Sequence, residues 1–230
     1  MKKFIILFLA IIASIGAYAL YTHTSEQKIY SKQEAGEIIN EICAEVNGYS
    51  ICNEERAMIE EGGGNPTYGE ITFDAVEELI NEFKEHLTKK DVFFDLGSGT
   101  GKVCVQVALR TPAKAIGIEL SPTRYQAAQQ IKQELLNKKI LTDKNKLQFF
   151  EQNILDADLS NASVIFLCST CFSEELMQKL SDKIARLPKP VIVITLKELP
   201  NSDNKFKLLK RMTLPMTWSN NTSVYAYELM

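Results

Sequence analysis

An α/β fold with a largely parallel sheet is what this sequence predicts, on three observations. The apolar run Val92-Phe93-Phe94 turns through three glycines, Gly97, Gly99 and Gly101, straight into a helical pattern carrying Val103, Val107 and Leu109. Strand-like and helix-like segments then alternate as far as Leu196. The chain closes on two strand-like segments, 205–213 and 223–229, with no helix between them.

The unbroken apolar run suits a strand buried on both faces. A glycine turn between such a strand and a helix brings backbone amides and the helix N-terminus close to a ligand, because no Cβ blocks the approach. The spacing discriminates between ligands. A dinucleotide fingerprint reads Gly-x-Gly-x-x-Gly. Here the third glycine falls one residue early and Lys102 stands in its place, which disfavours a nicotinamide enzyme. Asp95 precedes the first glycine by two residues. Residues 114–119 read as the next strand, and Glu119 ends it 22 residues beyond Gly97. A carboxylate at that point can accept both hydroxyl protons of a ribose.

From the start, Met1-Lys2-Lys3, an apolar run from Phe4 to Ile15 and the Ala17-Tyr18-Ala19 site predict a secretory signal over 1–19 or a membrane anchor through residues 4–20. The catalytic domain would then act where its cofactor is available. Residues 31–47 carry Ile38, Ile39, Ile42, Cys43 and Val46 at helical spacing, and 53–67 read as irregular, ending in the Gly62–Pro66 loop. Together 31–66 form an expected helical extension to a catalytic domain over 67–230. Thr72 caps a helix with Phe73, Val76, Ile80, Phe83 and Leu87 on one stripe. Ser121-Pro122 opens a helix running to about Lys138. Strands are expected over 147–151, 163–168 and 191–196, with a helix over 173–184.

At 230 residues and 45% apolar content, one substantial core is expected. A net charge of −3 offers no bulk attraction to nucleic acid. Cys168 and Cys171 have metal spacing, but neither a second such pair nor a histidine cluster completes a site, so no metal is expected. A Cys43–Cys52 bridge stays open, and a monomer is expected. The sequons at Asn161, Asn220 and Asn221 read as chance matches.

Asp95-Leu-Gly97-Ser98-Gly99-Thr100-Gly101 is the pattern of class I S-adenosylmethionine (SAM) methyltransferases, which this sequence resembles. With Thr67-Tyr68-Gly69-Glu70 before it, Gly117-Ile-Glu119 after it, the strand and turn 164–172, and Trp218 seven residues before Tyr225, it is similar to one family. That is the disruptor-of-telomeric-silencing family of histone-lysine methyltransferases, which lack a SET domain. The resemblance implies a Rossmann-like seven-stranded sheet, SAM as cofactor, and a protein acceptor lysine, in a histone or another protein. It implies that Tyr68, Gly69, Glu70 and Ile71 close over the cofactor's methionine end. Asp95, Gly97, Ser98, Gly99, Thr100, Gly101 and Lys102 would cradle it, Glu119 would take the ribose, and Asn153 and Ile154 would flank the adenine. Ser169, Trp218 and Tyr225 would serve catalysis, the last two as walls of a lysine channel. The family usually has an aspartate at Asn153 and often paired asparagines at Cys168 and Ser169. Other readings are a small-molecule acceptor or an inactive SAM-binding module.

Overall fold

A computed structural model describes residues 27–188, 190–200 and 204–230. The N-terminal apolar run lies outside the described residues. Helix α1 (Lys32–Ile42) starts on a reciprocal cap between Ser31 and Glu34 and buries Ala35 and Ile39. Residues 53–61, read above as irregular, form helix α2 (Asn53–Glu61). Only Glu55 and Ile59 of it are buried, so its sequence carries almost no apolar period. Helix α3 (Phe73–Glu82) is capped by Thr72, whose hydroxyl accepts from the Ala75 amide.

Strand β1 (Val92–Leu96) leads through the glycine turn into α4 (Lys102–Arg110). Arg110 grips Glu77 of α3 through two nitrogens at 2.8–3.1 Å, locking α3 onto α4. There follow β2 (Lys114–Glu119), α5 (Pro122–Asn137) with its Ser121 cap, β3 (Leu147–Glu151) and β4 (Val164–Leu167). A 3-10 turn (Ser169–Cys171), α6 (Glu174–Ile184) and β5 (Ile192–Thr195) come next. The chain closes on β6 (Phe206–Met216) and β7 (Ser219–Leu229), a longer hairpin than the sequence suggests.

The seven strands form one sheet in the order β3-β2-β1-β4-β5-β7-β6. The first five are parallel; β7 runs antiparallel to β5 and β6. Successive residues of β1 feed opposite cores, Phe93 on one face and Phe94 on the other. Helices α1, α3, α4 and α5 cover the first face and α6 the second. The strand order reverses between β1 and β4, so their carboxyl ends open a crevice. Pairing of β5 with β7 ends at Thr195 and Tyr225. The rest of the hairpin runs past the sheet and carries its tip over that crevice, where Met216 bridges Ile71. Among the described residues no helix is long and apolar enough to cross a membrane.

Candidate functional site

Gly97, Gly99 and Gly101 all have positive φ, so the turn after β1 folds into a shape that side chains resist. The turn is pinned by Glu119 from the neighbouring strand: one carboxylate oxygen accepts the Gly99 amide at 2.7 Å, the other the Ser121 amide at 2.8 Å. Each oxygen keeps a lone pair for a ligand. Asp95 lies beneath the turn, 2% exposed, and burial together with the nearby Glu119 pushes its carboxyl up to about 8. Burial also raises Glu119, against the pull of the Ser121, Gly99 and Leu120 amides and the Arg124 charge. Ser98 Oγ is buried without a hydrogen-bond partner, an arrangement that suits a polar ligand group.

A strap, Tyr68 to Ile71, crosses above the turn. The Tyr68 hydroxyl donates to Glu70 at 2.7 Å and lies 3.1 Å from the Thr100 hydroxyl. Glu70 also pairs with Lys102 at 2.9 Å, so both acid and phenol tie the strap to the start of α4. Burial holds the Tyr68 phenol far above its usual range, and it stays a neutral donor. The hairpin tip stitches the other side. Glu70 N donates to Thr217 Oγ1 at 3.0 Å, and Thr217 N to Glu70 O at 2.8 Å. Trp218 rests on Gly69, where a Cβ would stand 2.4 Å from the indole.

The strap divides two cavities that share Tyr68, Gly69, Gly97, Gly99 and Cys168 as walls. One, about 330 Å³, runs from Asp95 and Ser98 to Glu70 and Ile71, with Asn40 of α1 and its C-cap Cys43 on the far side. The other, about 300 Å³, runs from Glu119, Asn153 and Ile154 past Phe172 to Cys171 and Trp218. Asn153 uses its carbonyl on the Leu155 amide at 2.9 Å, leaving its NH2 for a partner.

The structure brings together the cradle residues, the strap, Glu119, Asn153, Ile154 and Trp218. It separates the three residues expected to serve catalysis. Ser169 is fully buried; its hydroxyl meets Thr195 Oγ1 at 2.8 Å and accepts the Leu196 and Lys197 amides at 3.2 and 2.9 Å. It ties the turn after β4 to the end of β5 and lines neither cavity. Tyr225 does not join Trp218 in a channel. It stacks on Tyr227 at 6.5 Å with Arg211 over its ring and lines neither cavity, because Trp218 sits in the hairpin turn while Tyr225 lies about 20 Å of strand away. In place of a Ser169 side chain, the second cavity meets the Cys168 and Cys171 thiols, and burial pushes Cys168 up to about 12. All five cysteines are free thiols, Cys43 and Cys52 included. Among the described residues no group of three or more His, Cys, Asp or Glu is placed to hold a metal ion.

Three residues at the site escaped the sequence. Phe172 faces the second cavity; its apolar type in a turn was the available signal. Glu55 of α2, 8% exposed, accepts the Ser121 and Thr123 hydroxyls at the start of α5, beside Glu119. Arg124, 6% exposed, sends its guanidinium to the carbonyls of Gly48 and Pro66 and over the Tyr68 ring. Nothing in the local pattern marks either charge as buried.

The chain is similar to the H3 lysine-79 specific histone-lysine N-methyltransferase of Dictyostelium discoideum, with 29% identity over 47% of this chain and 6% of that protein. It is 26% identical to the corresponding enzyme of Chaetomium globosum over 63% of this chain and 29% of that protein. The chain thus spans less than a third of the length of these relatives. Among solved structures it superposes on an RNA methyltransferase of Salinibacter ruber in complex with S-adenosyl-L-homocysteine. The TM-score is 0.54 at 20% identity, covering 68% of this chain and 90% of that one. Magnesium protoporphyrin IX methyltransferase of Synechocystis with bound SAM gives 0.54 at 15% identity, covering 85% and 91%. These likenesses establish the class I methyltransferase fold. The family profile for histone methylation protein DOT1 matches residues 57–222, most of the chain, and the protein belongs to that family.

Proposed function

We propose that this protein is a SAM-dependent protein-lysine N-methyltransferase. The observation that carries the reading is Glu119, an ionisable acid buried at the crevice and anchored to the glycine turn by one oxygen and to Ser121 by the other. The residues present fit SAM. Glu119 would accept the ribose hydroxyls, and Ile154, Leu120 and Phe172 offer apolar walls for a planar base. The unpartnered Ser98 hydroxyl, Asp95 and the Tyr68–Ile71 strap would hold the amino-acid end in the first cavity.

SAM supplies an electrophilic methyl group on a sulfonium. The protein's own contribution is alignment and exclusion of water. Strap and hairpin tip close the crevice, and the acceptor amine enters past Trp218, Thr170 and Cys171. Among the described residues Glu119 is the one carboxylate lining that cavity, already engaged by the Gly99 and Ser121 amides, and Cys168 stays a neutral thiol, so deprotonation of the amine falls to desolvation and to water. An indole face also suits an alkylammonium ion. The acceptor is a lysine on a protein, with histones and non-histone proteins both candidates. Labelled SAM offered with histones, nucleosomes and whole lysate, followed by mass spectrometry, tests this. Label on lysine supports the reading, and label on small molecules alone refutes it.

A second reading, a SAM-binding module without catalysis, draws on Ser169, whose hydroxyl is spent on Thr195 and two amides. SAM binding with no transfer to any acceptor would favour it. For the N-terminal segment we propose export or anchoring, tested by the mass of the mature chain.

A further inference from the structure

We propose that Glu55 of helix α2 is a positioning residue for the donor's ribose, holding the Glu119 carboxylate in place through Ser121. This rests on the methyl-donor reading of the site. Glu55 is buried, and burial works against its charge. The Ser121 and Thr123 donors outweigh that and hold its carboxyl below the ordinary glutamate range. An ionised carboxylate only accepts, so the direction of each bond is fixed. Oε2 accepts the Ser121 hydroxyl and, at 3.3 Å, the Thr123 amide. Oε1 accepts the Thr123 hydroxyl and, at 3.7 Å, the Cys52 thiol. The fully buried Ser121 hydroxyl thus spends its proton on Glu55, while its oxygen accepts the Arg124 amide at 3.2 Å. With its side chain held from both sides, Ser121 aims its own amide at Glu119 Oε1, 2.8 Å away. The series from Glu55 through Ser121 to Glu119 is unbroken, and Glu119 Oε2 closes it on the Gly99 amide at 2.7 Å.

The far end of α2 grips the same segment. The helix stops at Gly62, where a Cβ would stand 3.3 Å from Leu120 Cδ2. Ile59, Gly62 and Leu120 line the second cavity together with Glu119. Helix α2 therefore lies along Leu120 to Thr123, with its acid on one end of that segment and its terminal glycine on the other. Ile59 is the one apolar side chain it buries, so it adds little to the core, and Glu55 is its main polar anchor. Glu55 is also in the first turn of α2 and faces the first turn of α5, so the positive ends of two helices meet its one charge. Capping α5 for stability alone would weaken every ligand of the crevice alike. Positioning Glu119 is felt only by a ligand whose hydroxyls Glu119 accepts.

The test uses two ligands, S-adenosylhomocysteine and its analogue lacking both ribose hydroxyls. Each is titrated into the full chain of wild type, Glu55→Ala and Glu55→Gln, by calorimetry for the first and by ligand-detected NMR for the weaker second. Wild type is expected to prefer the hydroxylated ligand by about a hundredfold. Glu55→Ala lowers affinity for S-adenosylhomocysteine about tenfold and leaves the analogue within about twofold of wild type, so the preference shrinks to about tenfold. Glu55→Gln keeps the shape and one accepting oxygen, and its loss of about fivefold is again confined to the hydroxylated ligand. Equal losses on the two ligands, or no loss on either, overturn the proposal. Where Glu55→Ala does not fold, Glu55→Gln decides by the same criterion. Wild type that binds both ligands equally removes Glu119 from the ribose and this proposal with it, while leaving the donor site standing. Wild type that binds neither refutes the donor reading itself.

Discussion

At the donor end of the crevice, Asp95, the glycine turn and Glu119 all come from the ends of two adjacent strands, β1 and β2. At the other end, where the proposed acceptor would enter, Gly64 to Thr67, Thr170 to Phe172 and Trp218 arrive from three segments far apart in the chain. The first end is set by short-range geometry that a handful of residues dictates. The second is set by packing, and one residue of drift in the hairpin would replace its wall.

The comparison breaks most sharply at Glu119. Glu119→Ala removes a charged acceptor from two amides and from the ribose, so SAM affinity should drop by about a hundredfold or more in calorimetry. Binding at wild-type strength would remove Glu119 from the donor end altogether.

Asp95 predicts a pH effect. The folded chain holds its proton up to about 8, whereas an unfolded aspartate releases it near 4. The folded state thus binds the extra proton in that window, and stability falls as pH rises from about 4 to about 8. Asp95→Asn should flatten this fall, so the donor-free variant melts above wild type at pH 8, by at least about 1 kcal/mol, with the gap closing near pH 4. Parallel melting curves across that range would count against it.

The seam between the two ends lies at Gly69. Gly69→Ala places a methyl into Trp218 and should weaken SAM binding roughly tenfold. Adding Trp218→Ala should recover part of the loss; no recovery would mean that the strap itself is strained. Trp218→Ala alone is expected to lower methyl transfer several-fold more than SAM binding, on the scale of a lost aromatic contact.

The smallest effect belongs to Ser169. Ser169→Ala should cost about 1 kcal/mol of stability from its lost hydrogen bonds and leave SAM affinity unchanged. A large loss of transfer with unchanged stability would return this serine to the chemistry.

What could be read from the sequence follows the same divide. The glycine turn and Glu119 were legible because each is tied to a strand end by local spacing, and the alternation of segments showed the sheet. Helix α2 was not, since a helix that buries one glutamate and one isoleucine shows no apolar stripe. The Trp218–Tyr225 pairing failed because spacing along a hairpin says nothing about which residues occupy the turn. Arg124 looked like any polar position of an amphipathic helix; only the fold shows the carbonyls of Gly48 and Pro66 meeting it.

The stitch between Glu70 and Thr217, with Met216 bridged to Ile71, has a consequence for the order of events during synthesis. The cradle is translated before its roof, since β6 and β7 follow all five parallel strands. A nascent chain can assemble the parallel strands as they emerge, but its crevice stays open until the β6–β7 hairpin is released. Any chain cut short before Trp218 would carry every cradle residue and still lack the cover that keeps water from the reaction.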